Sequence, residues 1–446
     1  MADGSDGIDG TRFRLFPEPG FIPTFRRPSV VTVSSPAGSL GPGPHDNRMY
    51  AIEPLGKNLP YGLGLTPYGR SFMSLPPWSG DIVPPAEPDE EGHFDYLTPH
   101  DPGFATAHAF GSVRFVLDVW ERYFGRPVRW HFSDDYERLE IGVLHGFPNA
   151  QAGYGFLELG DFKGDDGITR PFALNFDVIA HEVGHLLLYS TIGLPTALGE
   201  TPEFYGFHES AADMASLLAV AHFDALIDDL MEQTCGNLYL LNRLNRIGAL
   251  SKNQQIRLAS NRLQMRDLAG RSVDEHLLSQ PLTGALWDTW VDLFHEDLLD
   301  YGLISRSVEE LADEIEYHEE LDRLIQPDFD AAYADDPAGF KQAFAKARDQ
   351  MGRLLAGTWR ALGPQRLDYG GLVDLLLRVD DRLNNGRFNR IIARNFALRD
   401  IGDYSESLVL GGKASHSNSS RVVRPDRERR LRHLSYRERR AIARGE

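Results

Sequence analysis

From Phe104 to Tyr123 apolar residues recur at helical spacing (Ala109, Val113, Val116, Leu117, Trp120), and Gly125 follows as a stop. Short alternating runs come next: Val128, Trp130 and Phe132, then Leu139, Ile141 and Val143. A third run sets Tyr154 and Phe156 on one face, with Leu157 and Leu159 on the other. Alternation of this kind predicts the strands of a small, half-exposed sheet. After Phe176 the period turns helical and largely stays so until Ile401, with helices predicted over 176–189, 208–232, 281–299, 306–325, 338–360 and 371–382.

The first stretch has no sustained period. Residues 1–95 are rich in Pro and Gly (FPEPGFIP, AGSLGPGPHD, SLPPWSGDIVPPAEPDEEG) and predict an extended, partly disordered lead segment. Its scattered aromatics (Phe13, Phe16, Phe25, Tyr61, Trp78) could lie across the body. The pattern then divides the chain into a sheet-containing lobe over 96–205, a mainly helical lobe over 206–403, and a linker with an Arg-rich tail over 404–446. The fold class that follows is α+β, with a small mixed sheet lobe and a mainly helical lobe.

Composition narrows the chemistry. No run approaches 18 consecutive apolar residues, so no membrane span is expected. The N-terminus shows neither a basic n-region nor an apolar h-region, which predicts a cytoplasmic protein and leaves signal-free export open. Cys235 is the only cysteine, so an intramolecular disulfide and any multi-cysteine metal site are excluded. The net charge of −19 argues against nucleic acid as a partner of the body. The ten Arg and four acids from Arg421 to Glu446 give +6, which against a total of −19 leaves −25 on the rest. Oligomeric state is not legible in these features.

The strongest chemical signal is His181-Glu182-Val183-Gly184-His185 inside NFDVIAHEVGHLLLYS. Positions i and i+4 of a helix share a face, so both imidazoles can reach one ion. Glu182 lies beside them, suited to polarise a water rather than to ligate. HExxH alone arises by chance in roughly a few per cent of chains this long, so an ordinary buried helix is the bland alternative until a third ligand appears. FHESAADMASLLAVAHF supplies one, with Glu209 and Asp213 four apart at the start of a second apolar-periodic helix. Glu209 would be the ligand, and Asp213 could accept the free ring N–H of His181. Two carboxylates at a helix start also favour its dipole. Glu200, Glu203 and His208 are rival ligands; the two glutamates sit in a turn-rich loop without a partner at i+4, and His208 reads rather as a supporting or structural residue.

With HExxH on one helix and ExxxD on the next, the chain resembles the thermolysin-like gluzincin zinc peptidases. Glu209-Ser210-Ala211-Ala212-Asp213 fits the second motif, although the gap from His185 is a few residues longer than in thermolysin. AHAFGSVRFVLDVWERYFG (107–125) is similar to the family's helix ahead of the sheet. Asn149-Ala150 is similar to the opening of its active-site edge strand, which binds a peptide backbone by β-augmentation. His276 in Asp274-Glu275-His276-Leu277-Leu278-Ser279 falls in register with the family's oxyanion histidine, as do Ser279, Ala285 and Trp287. Two departures are visible: the family's Asn-Ser-Gly is here Leu278-Ser279-Gln280, and Arg271 occupies the place of the carboxylate that orients this His. Asp274 either replaces that carboxylate or caps the helix. Residues 395–402 resemble the family's closing helix, so the likeness covers about 101–403.

The resemblance implies a zincin-like fold and one zinc ion held by His181, His185 and Glu209. Glu182 would be the proton carrier, His276 with Tyr189 or Tyr205 the oxyanion donors, and Asn149 and Ala150 the substrate strand. It also implies an arginine on the substrate carbonyl, for which Arg257 and Arg262 are candidates, and calcium, for which Asp177 is a candidate ligand. The function expected is a zinc endopeptidase acting on peptide or protein substrates. The rivals are a gluzincin-like scaffold with structural zinc, a hydrolase of non-peptide amides or esters, and a protease with one protein target.

Overall fold

The computed structural model describes residues 10–402 apart from positions 58, 66–70, 165–166, 197–198, 240, 252–253, 270–273, 316–321 and 365–366. The linker and Arg-rich tail expected over 404–446 lie outside the described residues. Strands β1 (Gly10–Leu15) and β2 (Ser29–Pro36) pair antiparallel, β3 (Met49–Ile52) follows, and β4 (Gly62–Leu65) pairs with β5 (Ser71–Ser74). Helix α1 (Phe104–Phe124) leads to β6 (Leu139–Val143), β7 (Ala150–Gly153), β8 (Phe156–Leu159) and the short pair β9 (Asp161–Lys163) and β10 (Thr169–Pro171). Helices α2 (Phe176–Ile192), α3 (Pro202–Val220) and α4 (Asp224–Thr234) precede a hairpin of β11 (Arg246–Ser251) and β12 (Gln254–Leu258). The chain then runs through α5 (Glu275–Asp300), α6 (Arg306–Ile315), α7 (Asp322–Asp335), α8 (Pro337–Ala361), α9 (Tyr369–Asn384) and α10 (Asn389–Ala397).

The fold is α+β around a four-stranded sheet of order β3-β6-β8-β7. The sheet is mixed: β6 pairs parallel with both β3 (Met49↔Leu139) and β8 (Glu140↔Phe156), and β7 pairs antiparallel with β8 (Ala150↔Leu159). Tyr154 and Gly155 make the turn of the β7–β8 hairpin, and Gly155 has the positive φ of 93° that such a tight turn requires. The alternating run Val128, Trp130, Phe132 is not a strand. Its three side chains are buried as their alternation requires, but side chains take up the neighbouring backbone bonding. The Val128 N–H donates to Glu121, and the Val128 carbonyl accepts from the Arg48 guanidinium at 2.6 Å.

The lead segment also differs from expectation. From Gly10 onward its described residues are folded, and β3 is an edge strand of the central sheet. Phe13 is buried and stacks on Phe94 at 5.2 Å and Phe110 of α1 at 6.0 Å. A buried polar cluster ties the lead to the sheet. Lys57 meets Glu158 of β8 at 2.6 Å, both side chains almost wholly buried, and the Tyr61 hydroxyl and Trp78 N–H donate to Glu140 of β6 at 2.7 and 2.8 Å. The reason the sequence misled is that these contacts are long-range, so no local period announces them.

Helix α2 is apolar on nearly all sides, as a helix enclosed by α1, α3 and β7 must be. It is capped by Asn175, whose side chain accepts from the Val178 N–H at 3.3 Å. Helix α3 starts at Thr201, which accepts from Phe204 N–H, with Pro202 in the first turn. Gly184 lets the two helices touch: a Cβ there would lie 2.8 Å from the Ala212 Cα. The helix predicted over 208–232 is two, α3 and α4, bent by 94° at 221–223. No Gly or Pro marks the bend; the Phe223 ring fixes it by packing at 4.7 Å from Phe115 and 4.9 Å from Phe176. Helix α5 begins at Glu275 rather than 281, because Asp274 caps it with a 2.8 Å bond from the Leu277 N–H and Pro281 lies inside it. No single described helix is long and apolar enough to cross a membrane.

Gly184→Ala should cost about 1–3 kcal/mol by overpacking the α2–α3 contact, read from the denaturant midpoint. Buried His108 accepts from the Phe16 N–H at 3.0 Å, and desolvation holds its pKa down at about 4. Its neutral form stabilises the fold above the ordinary histidine pKa, and that stability is lost as pH falls toward 4. Between pH 7 and pH 4.5 the protein should lose about 2–3 kcal/mol through this group. His108→Gln should be correspondingly less acid-sensitive in urea titrations at the two pH values.

Candidate metal centre and cleft

The i, i+4 spacing on α2 turns the Nε2 atoms of His181 and His185 the same way, toward Glu209 on α3. His181 Nε2 lies 3.5 Å from Glu209 Oε2, and His185 Nε2 lies 3.6 Å from Glu209 Oε1. One ligand atom from each residue falls within 4.8 Å of the others, and among the described residues this is the group able to hold a metal ion. Two imidazoles and a carboxylate are the donors a catalytic zinc takes, and tetrahedral bonds of about 2.0–2.1 Å set such donors about 3.3 Å apart. The residues fit zinc.

The surroundings charge this cradle. Burial alone would lower the His181 pKa, but hydrogen bonds with Asp213 and Glu209 outweigh it and raise it to about 9. Burial likewise opposes ionisation of Glu209, yet His181, His185 and His276 hold its carboxyl well below the usual range. His181 Nδ1 sits 2.9 Å from Asp213 Oδ1. Arg257, on β12, grips the same Asp213 through two bonds of 3.0 and 2.6 Å and lies 3.7 Å from Glu209. Burial disfavours the Arg257 charge, but Asp213 and Glu209 more than restore it and raise its pKa.

His276 comes from the first turn of α5, half-exposed, with Nε2 3.3 Å from Glu209 Oε2. Asp274 is occupied as the helix cap, and a second carboxylate, that of Glu275, lies 3.5 Å from His276 Nδ1.

A cavity of about 170 Å³ joins these groups. Glu182, His181, His185, Glu209 and His276 form one side of it, and Asn149, Ala150, Gln151 and Ala152 of the β7 region form the other. Asp213 lies behind His181, outside the lining. Tyr189, Tyr205 and His208 complete the wall, so both candidate tyrosines are present. Neither Glu200 nor Glu203 belongs to the metal group, and Arg262 does not line the cavity.

Asp177 lies apart from this group. It is buried, and desolvation raises its pKa to about 7. Buried Glu18 is close enough to couple to it, with Arg243, Arg246 and Asp229 also acting on Glu18. Among the described residues no three-ligand group forms around Asp177, so the calcium expectation gains no support.

Arg257, one of the two arginines offered as a substrate contact, is anchored to Asp213 by two bonds. His208, which sequence reasoning set as a supporting or structural residue ahead of a ligand, faces the far side of the His185 ring, Nδ1 to Nδ1 at 3.5 Å. The signal available was its place directly before Glu209 on the same helix.

No protein-family model and no curated protein matches this chain. Among solved structures, the precursor of protealysin, a metalloproteinase from Serratia proteamaculans, is similar at 14% identity with a TM-score of 0.45, over 73% of this chain and 84% of that one.

The bonds with Asp213 and Glu209 raise the His181 pKa to about 9, so zinc binding below that pH should displace a proton. Calorimetry at pH 7.5 in buffers of different ionisation enthalpy should detect about one proton released per zinc bound. Zinc affinity should rise with pH until about 9, and a pH-independent affinity between 7 and 9 would contradict a protonated His181 in the metal-free protein.

Proposed function

We propose that the chain is a zinc-dependent endopeptidase of the thermolysin-like gluzincin type. The observation that carries this reading is that Glu182 shares one cavity with the three-ligand group and with β7, the terminal strand of its sheet. A structural zinc site has no use for a carboxylate beside its ligands, and a terminal strand suits an extended peptide that adds to the sheet. Zinc, when bound by His181, His185 and Glu209, supplies Lewis acidity to the substrate carbonyl and acidity to water.

The protein groups divide the remaining work. The β7 backbone holds the peptide extended across the cleft. Glu182 accepts the proton of the attacking water at its carboxylate as the C–O bond forms. It then delivers that proton to the amine nitrogen as the C–N bond breaks. His276 donates from Nε2 to the oxygen that becomes negative, with Tyr189 or Tyr205 as the second donor from the same wall. Arg257 holds Asp213, and Asp213 holds the Nδ1 side of His181, so one ligand keeps its orientation through a buried ion pair.

Zinc-loaded protein incubated with a diverse peptide mixture and read by mass spectrometry tests the proposal. Cleavage by the parent, falling about 10²–10⁴-fold in Glu182→Gln, is the expected result. A zinc-loaded parent that leaves every peptide intact would shift the reading to a zinc-binding scaffold or a single-target enzyme. Hydrolysis confined to non-peptide amides or esters would move it to another hydrolase class.

A further inference from the structure

A second cavity, of about 310 Å³, lies between β2, α1 and the bend that joins α3 to α4. None of its lining residues lines the candidate metal centre. Positions 115, 118, 119 and 122 share one face of α1, so Phe115, Asp118, Val119 and Arg122 border it together. Val33 of β2 joins Phe115 and Val119 as its apolar side, and the Phe115 ring is held by stacking 4.7 Å from Phe223. The volume sits at the small end of ligand sites, the scale of one amino-acid residue.

The polar members have distinct roles. Asp118 is spent on the protein: it accepts from the Ser34 N–H at 2.8 Å, from the Ser34 hydroxyl, and from Arg114 at 3.1 Å. Arg122 is exposed and makes no ion pair with another described residue. The tautomer of His222 is set by the bonds behind it. Burial opposes ionisation of Asp349, but Arg348 at 2.9 Å outweighs it and lowers the pKa of that carboxyl. An ionised carboxylate only accepts, so the single hydroxyl proton of Tyr123 goes to Asp349 at 3.0 Å. The same hydroxyl oxygen lies 2.9 Å from His222 Nε2, which must then be the donor. Burial, aided by Arg348 and Arg122, lowers the His222 pKa to about 3, so the ring is neutral near pH 7. Its Nδ1 is left with a lone pair to which no described residue donates.

We propose that this cavity binds an apolar amino-acid residue by its free carboxylate and the N–H on the same carbon. The carboxylate pairs with Arg122, the N–H donates to His222 Nδ1, and the side chain lies on Phe115, Val119 and Val33. A guanidinium beside a lone pair calls for an anion and a donor on neighbouring atoms. A simple carboxylate leaves Nδ1 unmatched, and a bare amine meets the charge of Arg122. Free amino acids and the C-terminal residues of peptides both carry the required pair.

Titrations of the full chain followed by saturation-transfer NMR, with and without zinc, test the assignment. N-Acetyl-L-leucine and free L-leucine are the probes, and the tighter of the two assigns the source as a peptide C-terminus or a free amino acid. The tighter probe should bind with a Kd on the order of 1 mM, as its few atoms allow. N-Acetyl-L-leucinamide, without the carboxylate, should bind at least about tenfold more weakly, as should either acid to Arg122→Gln. 4-Methylpentanoate, without the N–H, should bind about fivefold more weakly. Arg122 is exposed, so its variant should keep the parental thermal midpoint. Neither acid binding at about 20 mM, an amide as tight as the acid, or parental affinity in Arg122→Gln would overturn the proposal. Binding that requires zinc would place the probe at the metal centre and overturn it too, whereas a chain that binds no zinc or cleaves no peptide leaves it standing.

Discussion

The close approach of α2 and α3 is the constraint on which the site depends. Gly184, at the fourth position of HEVGH, leaves no room for a side chain against Ala212, and Ala215 lies near it on the next turn. Small residues at this crossing let Glu209 come within 3.5–3.6 Å of both ligand nitrogens. A bulkier crossing would widen the gap between donors that a metal must bridge at fixed bond lengths. The motif glycine is thus a packing requirement, while the proposed chemistry falls to His181, Glu182 and His185.

Around that contact, charge is placed in layers. Glu209 and Asp213 are buried acids one helical turn apart, and two carboxylates there would repel without a cation between or beside them. Arg257 supplies one positive charge from β12, and the protonated His181 supplies another in the metal-free state. In the proposed centre a bound ion would take the place of that proton, so the two acids would keep a cation beside them in either state. The sheet adds the second half. Gln151 of β7 donates to the buried Glu158 carboxylate at 2.6 Å, and Glu158 also meets Lys57 of the lead, so the N-terminal layer braces the strand that borders the cleft.

What could be read from the chain was what is local. His181 and His185 share a helix face by spacing alone, and α1, α2 and α8 follow from apolar periodicity and end signals. Asn149, Ala150, Glu182, Glu209 and His276 do meet in one cavity, with Asp213 just behind it. Long-range contacts were not legible. Strand β3 reaches the sheet by pairing with β6, about ninety positions later, from a stretch whose Pro and Gly content reads as disorder. The β11–β12 hairpin carrying Arg257 lies between the predicted helices of a lobe read as mainly helical, and Arg257 bonds to Asp213 across the fold. The α3–α4 bend was hidden for a related reason: an aromatic contact makes it, not a helix-breaking residue.

X-ray absorption at the zinc K-edge of the loaded protein tests the central claim most directly, because it reads the ligand set without depending on activity. The account predicts a first shell of nitrogen and oxygen at about 2.0–2.1 Å, with the outer-shell scattering of two imidazoles and no sulfur. A sulfur contribution near about 2.3 Å, or a shell with fewer than two imidazoles, would contradict a centre built from His181, His185 and Glu209.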